Sequence, residues 1–110
     1  MPVFIPSSLS EAVTLLAEHP TAHLITGGTD FMVEVNFNNR HPETVISLRK
    51  IPDMQQWNID KASGVVFIGA SVPYAMMEQG ELANALPALA EAARTVGSPQ
   101  IRAAGSIGGN

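Results

Sequence analysis

The spacing of apolar and polar positions divides the chain into short elements. Leu9, Val13, Leu16 and Ala17 recur at helical spacing and predict a helix with those residues on its apolar face. Ser8 and Glu11 before them have capping-box spacing, with Ser8 accepting from the Glu11 N–H and Glu11 reaching back. His19-Pro20 ends the helix, because a residue before proline disfavours α geometry. Ala22 to Ile25 reads as a short buried strand, and Thr44 to Leu48 as a second. Between them, Thr29 or Asp30 caps an expected helix from Phe31 to about Asn36, with Phe31, Met32 and Val35 as its apolar face, and Asn36 to Pro42 is a loop. The interval from Gly27 to Glu43 is long enough for the crossover that parallel strands require. Past Pro52 the pattern changes. Strands at Gln56–Ile59 and Val65–Ala70 flank the turn signal Lys61-Ala62-Ser63-Gly64 and predict an antiparallel hairpin. Ser71 is read as a cap for a helix from Pro73 to Gln79. Leu86, Leu89, Ala90 and Ala93 mark the face of a helix running to Val96, which Gly97-Ser98-Pro99 breaks before Gln100–Arg102 leads into a final turn. The fold class is α/β (α+β): a parallel unit over 1–52, then an antiparallel lobe with helices over 53–110, with a seam near Pro52.

Composition narrows the functional classes. The chain has 110 residues, 45% of them hydrophobic, enough for one small core. Its net charge is −4 and no basic run occurs, which argues against nucleic acid or an anionic membrane surface as partner. There is no cysteine, so this chain holds no disulfide, thiolate zinc site or iron–sulfur cluster. No apolar run approaches the roughly 20 residues that span a bilayer, and the N-terminal residues lack the pattern of a signal peptide. A cytoplasmic protein is the expectation.

The residues that carry chemistry are few. His19, His23 and His41 lack zinc-ligand spacing, no serine sits in a nucleophile elbow, and Glu11, Glu18, Glu78 and Glu91 read as solvated helix faces. No catalytic residue and no metal ligand is assigned. Two glycine turns stand apart: Thr26-Gly27-Gly28-Thr29-Asp30 after an apolar strand, and Gly105-Ser106-Ile107-Gly108-Gly109-Asn110. Glycine lets backbone approach a ligand closely, and successive free N–H groups form anion-binding nests. The first turn is neither a G-x-G-x-x-G fingerprint nor a P-loop. Either turn alone reads equally as a structural turn; together they point to a clamp on a phosphate-bearing cofactor. Arg102, just upstream of the second, orients that turn, neutralises an anion or forms a surface salt bridge. Met76, Met77, Trp57 and Tyr74 read as packing residues.

The same segments resemble a known family, the FAD-binding (medium) subunit or domain of molybdenum hydroxylases of the xanthine dehydrogenase and carbon monoxide dehydrogenase type. Phe4 to Ala12 is similar to its opening F-x-P-x-S-L-x-E-A, His23 to Asp30 to its A-G-G-T-D loop, and Gly97 to Asn110 to G-S-x-Q-I-R-N-x-G-T-I-G-G-N. Val45–Leu48, Ile68-Gly69-Ala70 and Leu86 to Ala93 also correspond. The resemblance implies the N-terminal portion of the two-lobed PCMH-type FAD-binding fold. It implies FAD as cofactor, held by His23, Leu24, Ile25, Thr26, Gly27, Gly28, Thr29 and Asp30 in the first loop. Ser106, Ile107, Gly108, Gly109 and Asn110 serve in the second. Phe31 borders the ligand, and Val96 sits where some relatives place a flavin-stacking side chain. The implied partners are a molybdopterin-binding large subunit and a [2Fe–2S] small subunit, with NAD+ or another acceptor receiving electrons. Thr26, Ala103 and Ser106 depart from the family's alanine, asparagine and threonine. Because family members continue past G-G-N, the chain reads as an N-terminal part, inactive alone. Two other readings compete: an interaction module docking through exposed Val65, Phe67, Ile68 and Leu86, or another flavoenzyme of the same fold, such as a cell-wall reductase or an alcohol oxidase.

Overall fold

The computed structural model describes residues 2–27 and 44–108. The chain divides into two compact units, Met1–Met54 and Gln55–Asn110. In the first, strands β1 (Val3–Phe4), β2 (His23–Ile25) and β3 (Val45–Ser47) form a parallel sheet in the order β1-β3-β2. The central β3 is buried throughout, which is why it reads as a continuous apolar run rather than an alternating one. Val45 pairs with Val3 on one side and His23 on the other. The two-residue β1 is too short to show a periodicity, and the pattern missed it. The edge strand β2 is not the buried strand expected; Leu24 is 50% exposed.

Helix α1 spans Leu9–Glu18, with Ser8 as N-cap. The Glu11 N–H donates to Ser8 Oγ at 3.1 Å, as the sequence predicts. The Glu11 carboxylate reaches one residue further than a capping box requires, accepting from the Ser7 N–H at 3.1 Å. The buried face also differs from expectation. Ala12 is buried and Leu15 and Leu16 are half-buried, whereas Leu9, Val13 and Ala17 are exposed. His19, the C-cap, stacks on Phe4 of β1 with ring centroids 5.1 Å apart. Both faces satisfy helical spacing, and the one carrying Ala12, Leu15 and Leu16 is turned inward, with α1 packed on β3. The expected helix Phe31–Asn36 and loop Asn36–Pro42 lie outside the described residues.

In the second unit, β4 (Trp57–Asp60) and β5 (Val65–Ile68) form the expected antiparallel hairpin, Trp57 opposite Ile68 and Asp60 opposite Val65. Gly64, at φ +74°, takes the left-handed position that closes the turn. Asp60 accepts from the Ala62 and Ser63 N–H groups at 3.0 and 3.4 Å. Alternation turns Trp57, Val66 and Ile68 onto a core of Val72, Tyr74, Met77, Leu82 and Ala93. Val65 and Phe67 face outward, each 59% exposed. Ile68 packs on the core and Leu86 is half-buried, so these two do not share that exposed face.

The helices are shorter and more numerous than the pattern implied. Tyr74–Met77 is a single 3-10 turn capped by Pro73, and Ser71 caps nothing. The stretch read as one helix from Leu86 starts at Pro87 as α3 (Pro87–Arg94), directly after α2 (Gly80–Ala85). Leu86 is the C-cap of one and the N-cap of the other, and proline at the first helical position starts the second. The break expected at Gly97-Ser98-Pro99 does follow α3, and Ser98-Pro99 also opens a further helix, α4 (Pro99–Ala104), in place of a plain lead into the final turn. Ser98 Oγ accepts from the Ile101 N–H at 3.3 Å, the N-cap arrangement that serine before proline favours.

Candidate functional site

The second glycine segment is built as a strand-like pairing. Tyr74 N–H donates to Gly105 O at 3.0 Å, Ile107 N–H to Val72 O at 3.1 Å, and Gly108 N–H to Ala70 O at 2.8 Å. Pro73 and Ser106 stand opposite each other, antiparallel. Only glycine fits at 108. A Cβ there would lie 2.6 Å from Ala70 Cβ, 2.8 Å from Ala70 O and 3.1 Å from Ala70 Cα. Gly105 is buried under the Tyr74 ring, which a Cβ would meet at 3.4 Å, with Ile101 O at 3.1 Å. The amides of Ile107 and Gly108 are thus already used inside the chain and are not free nest donors. Ile107 packs against the core. Ser106 is half-buried, and its N–H and hydroxyl have no hydrogen-bond partner among the described residues. Gly109 and Asn110 lie outside the described residues.

Arg102 braces this segment from α4. Its Nε pairs with the Glu78 carboxylate just after the 3-10 turn. Its NH1 donates to both Val96 O and Gly97 O at 3.2 Å. Arg94 donates to the Glu78 carbonyl. Both side chains of the ion pair are largely buried, 17% and 24% exposed, so Glu78 is not the solvated carboxylate expected and the pair is not a surface bridge. Val96, considered for flavin stacking, packs against the core and lends its carbonyl to Arg102. Glu78 carries no local sequence signal, because its partner Arg102 lies in a different element. Ser71 escaped notice too: its hydroxyl is buried without a partner among the described residues.

The first segment sits in the other unit. His23, Leu24 and Ile25 are β2 itself, and Leu48 N–H donates to Ile25 O at 2.7 Å just past the β3 pairing. Thr26 and Gly27 therefore leave the carboxyl end of a parallel strand, the edge where α/β sheets place ligands. Thr26 is half-buried with no hydrogen-bond partner among the described residues, and Gly27 is exposed. Gly28, Thr29 and Asp30 lie outside the described residues. No three His, Asp or Glu side chains among the described residues group to hold a metal ion. Met77 and Tyr74 are buried in the core, while Met76 is about half exposed. Within its own unit each segment keeps open polar groups, the Thr26 hydroxyl in the first and the Ser106 hydroxyl and amide in the second. They are groups for binding and orienting, since hydroxyls and amides at ordinary acidity hold phosphate and ribose oxygens without exchanging protons.

Known proteins share this fold and sequence pattern. A family model described as the FAD binding domain in molybdopterin dehydrogenase matches residues 1–110. The nicotinate dehydrogenase FAD-subunit of Eubacterium barkeri is 36% identical over 111 residues, covering 97% of this chain and 36% of that subunit. The xanthine dehydrogenase FAD-binding subunit of Escherichia coli O157:H7 is 28% identical, covering 94% of this chain and 36% of its own length. Among solved structures, carbon monoxide dehydrogenase from Hydrogenophaga pseudoflava, in a form lacking the Mo-pyranopterin moiety of its cofactor, superposes with a TM-score of 0.91 at 32% identity. That superposition covers 99% of this chain and 38% of the other. The chain thus spans little more than a third of the length of the relatives it matches. No helix among the described residues is long and apolar enough to cross a membrane. The cofactor is FAD, and the chain belongs to the family of FAD-binding domains in molybdopterin dehydrogenases.

Proposed function

We propose that this chain is the N-terminal part of the FAD-binding electron-transfer subunit of a molybdenum hydroxylase, residues 1–110 forming one incomplete FAD-binding domain. When bound, the flavin supplies electron transfer between iron–sulfur clusters and NAD+ or another acceptor. The protein works in the cytoplasm with a molybdopterin-binding large subunit and a [2Fe–2S] small subunit. The chain's own residues bind and orient the cofactor. The residues assigned to cofactor binding are His23 to Asp30 and Ser106 to Asn110. The observation that carries this reading is the second segment. Gly108 lets backbone approach Ala70 closely, and Ser106 next to it keeps its N–H and hydroxyl open, inside a family match that covers the whole chain.

The test is reconstitution of the full protein. Purified from its host it carries a flavin absorption spectrum; stripped of flavin, it regains that spectrum on addition of FAD. Replacing Gly27 with valine weakens FAD retention, because a branched side chain at the strand end blocks close approach of the ligand. The 110-residue segment by itself retains FAD weakly and turns over no substrate. A full protein that stays colourless with excess FAD overturns the reading.

A further inference from the structure

We infer that Arg102 and Glu78 form a positioning device that holds the second glycine segment in its FAD-competent arrangement; the inference rests on the FAD reading above. Arg102 lies in α4, three residues before Gly105. Its guanidinium joins α4 to two other pieces of chain: the Glu78 carboxylate after the 3-10 turn, and the adjacent Val96 and Gly97 carbonyls at the turn into α4. Gly97 is itself at φ +47°, so that turn is one the backbone does not favour for other residues. Tyr74 of the same 3-10 turn donates to Gly105 O. The Arg102–Glu78 bridge therefore ties the helix that runs into 105–108 to the end of the 3-10 turn that follows 70–74, next to the backbone pairing of those two segments. A planar guanidinium can serve a carboxylate and two carbonyls at once; a lysine ammonium cannot hold that fork. Glu78 is fixed in turn through its own carbonyl by Arg94. Released from this brace, the segment populates its competent arrangement less often, and apparent FAD affinity falls by the same fraction.

The experiment measures FAD dissociation constants, the visible circular dichroism of bound flavin and thermal stability for the full protein and its Arg102→Gln, Arg102→Lys, Glu78→Gln and double Glu78→Gln/Arg102→Gln variants. A segment competent about one tenth of the time gives a dissociation constant raised about tenfold in Arg102→Gln. Arg102→Lys recovers part of that loss, and the double variant is no weaker than Arg102→Gln, since both changes remove one bridge. The flavin dichroism shifts in each single variant. Glu78→Gln keeps size and hydrogen-bonding capacity, so it reports even if Arg102→Gln fails to fold. Dissociation constants within about twofold of the native value and unchanged dichroism in both Glu78→Gln and Arg102→Lys overturn the inference, even where thermal stability falls. A native protein that binds no FAD overturns instead the reading on which it rests.

Discussion

The tightest steric statement in the structure concerns Gly108. Its φ is not positive, so no backbone strain argument applies; the constraint is space. An added Cβ would stand 2.6 Å from Ala70 Cβ and 2.8 Å from Ala70 O, roughly 1 Å short of ordinary carbon contacts of about 3.5–4.0 Å. The neighbour on both counts is residue 70's own backbone region, which cannot swing away like the tip of a long side chain. The segments must part, and the 2.8 Å bond from Gly108 N–H to Ala70 O lengthens or breaks. A lost backbone bond costs about 1 kcal/mol and overpacking about 1–3 kcal/mol. Gly108→Ala is therefore expected to lower stability by about 2–4 kcal/mol, read by urea unfolding of the full protein. Hydrogen exchange localises the effect: the Ile107 and Gly108 amides lose protection while β4 and β5 keep theirs. Ala70→Gly added to Gly108→Ala removes the 2.6 Å contact but leaves the carbonyl at 2.8 Å, so it restores part of the loss and not all. A loss under about 0.5 kcal/mol with both amides still protected would mean the pairing yields freely, and the steric argument fails.

Four further outcomes follow from the same structure. Gly97→Ala places a Cβ 2.9 Å from Ile101 Cγ2 at φ +47°; a loss of about 1–2 kcal/mol in chemical denaturation is expected. Ser8→Ala removes the acceptor of the Glu11 N–H and costs about 1 kcal/mol, read the same way. Leu82→Ala, at a residue 2% exposed within the core, costs about 2–5 kcal/mol. Hydrogen bonds from Ser63, then the Ala62 N–H, hold the Asp60 carboxyl below its usual 3.8. A depressed folded pKa contributes stability that is present above the unfolded value and lost as pH falls through the folded one. NMR titration of Asp60 should show its midpoint below 3.8, and Asp60→Asn should flatten that part of the acid unfolding curve; a midpoint at or above that value contradicts the turn geometry.

The sequence made some of this architecture legible because the deciding physics was local. The β3 run, the Ser8 cap and the hairpin turn at Gly64 each carry their signal within a few residues. What stayed hidden depended on partners distant in sequence. Helix α1 packs on β3, and its own spacing does not reveal which face turns inward. The glycine segments were visible as candidate ligand loops, but the work of Gly108 was not. Its amide and that of Ile107 are spent on Ala70 and Val72, so glycine at 108 serves the meeting of two backbones, and not a nest of open donors. The polar groups that remain open beside it belong to Ser106. Two consequences follow for the cofactor. Under the proposed function, replacing the Ser106 hydroxyl removes a group assigned to the ligand, whereas replacing Gly108 disturbs the backbone pairing next to Ser106. The first change alters affinity with little effect on stability; the second alters both, because in this segment the geometry of binding and the packing of the fold are the same contact.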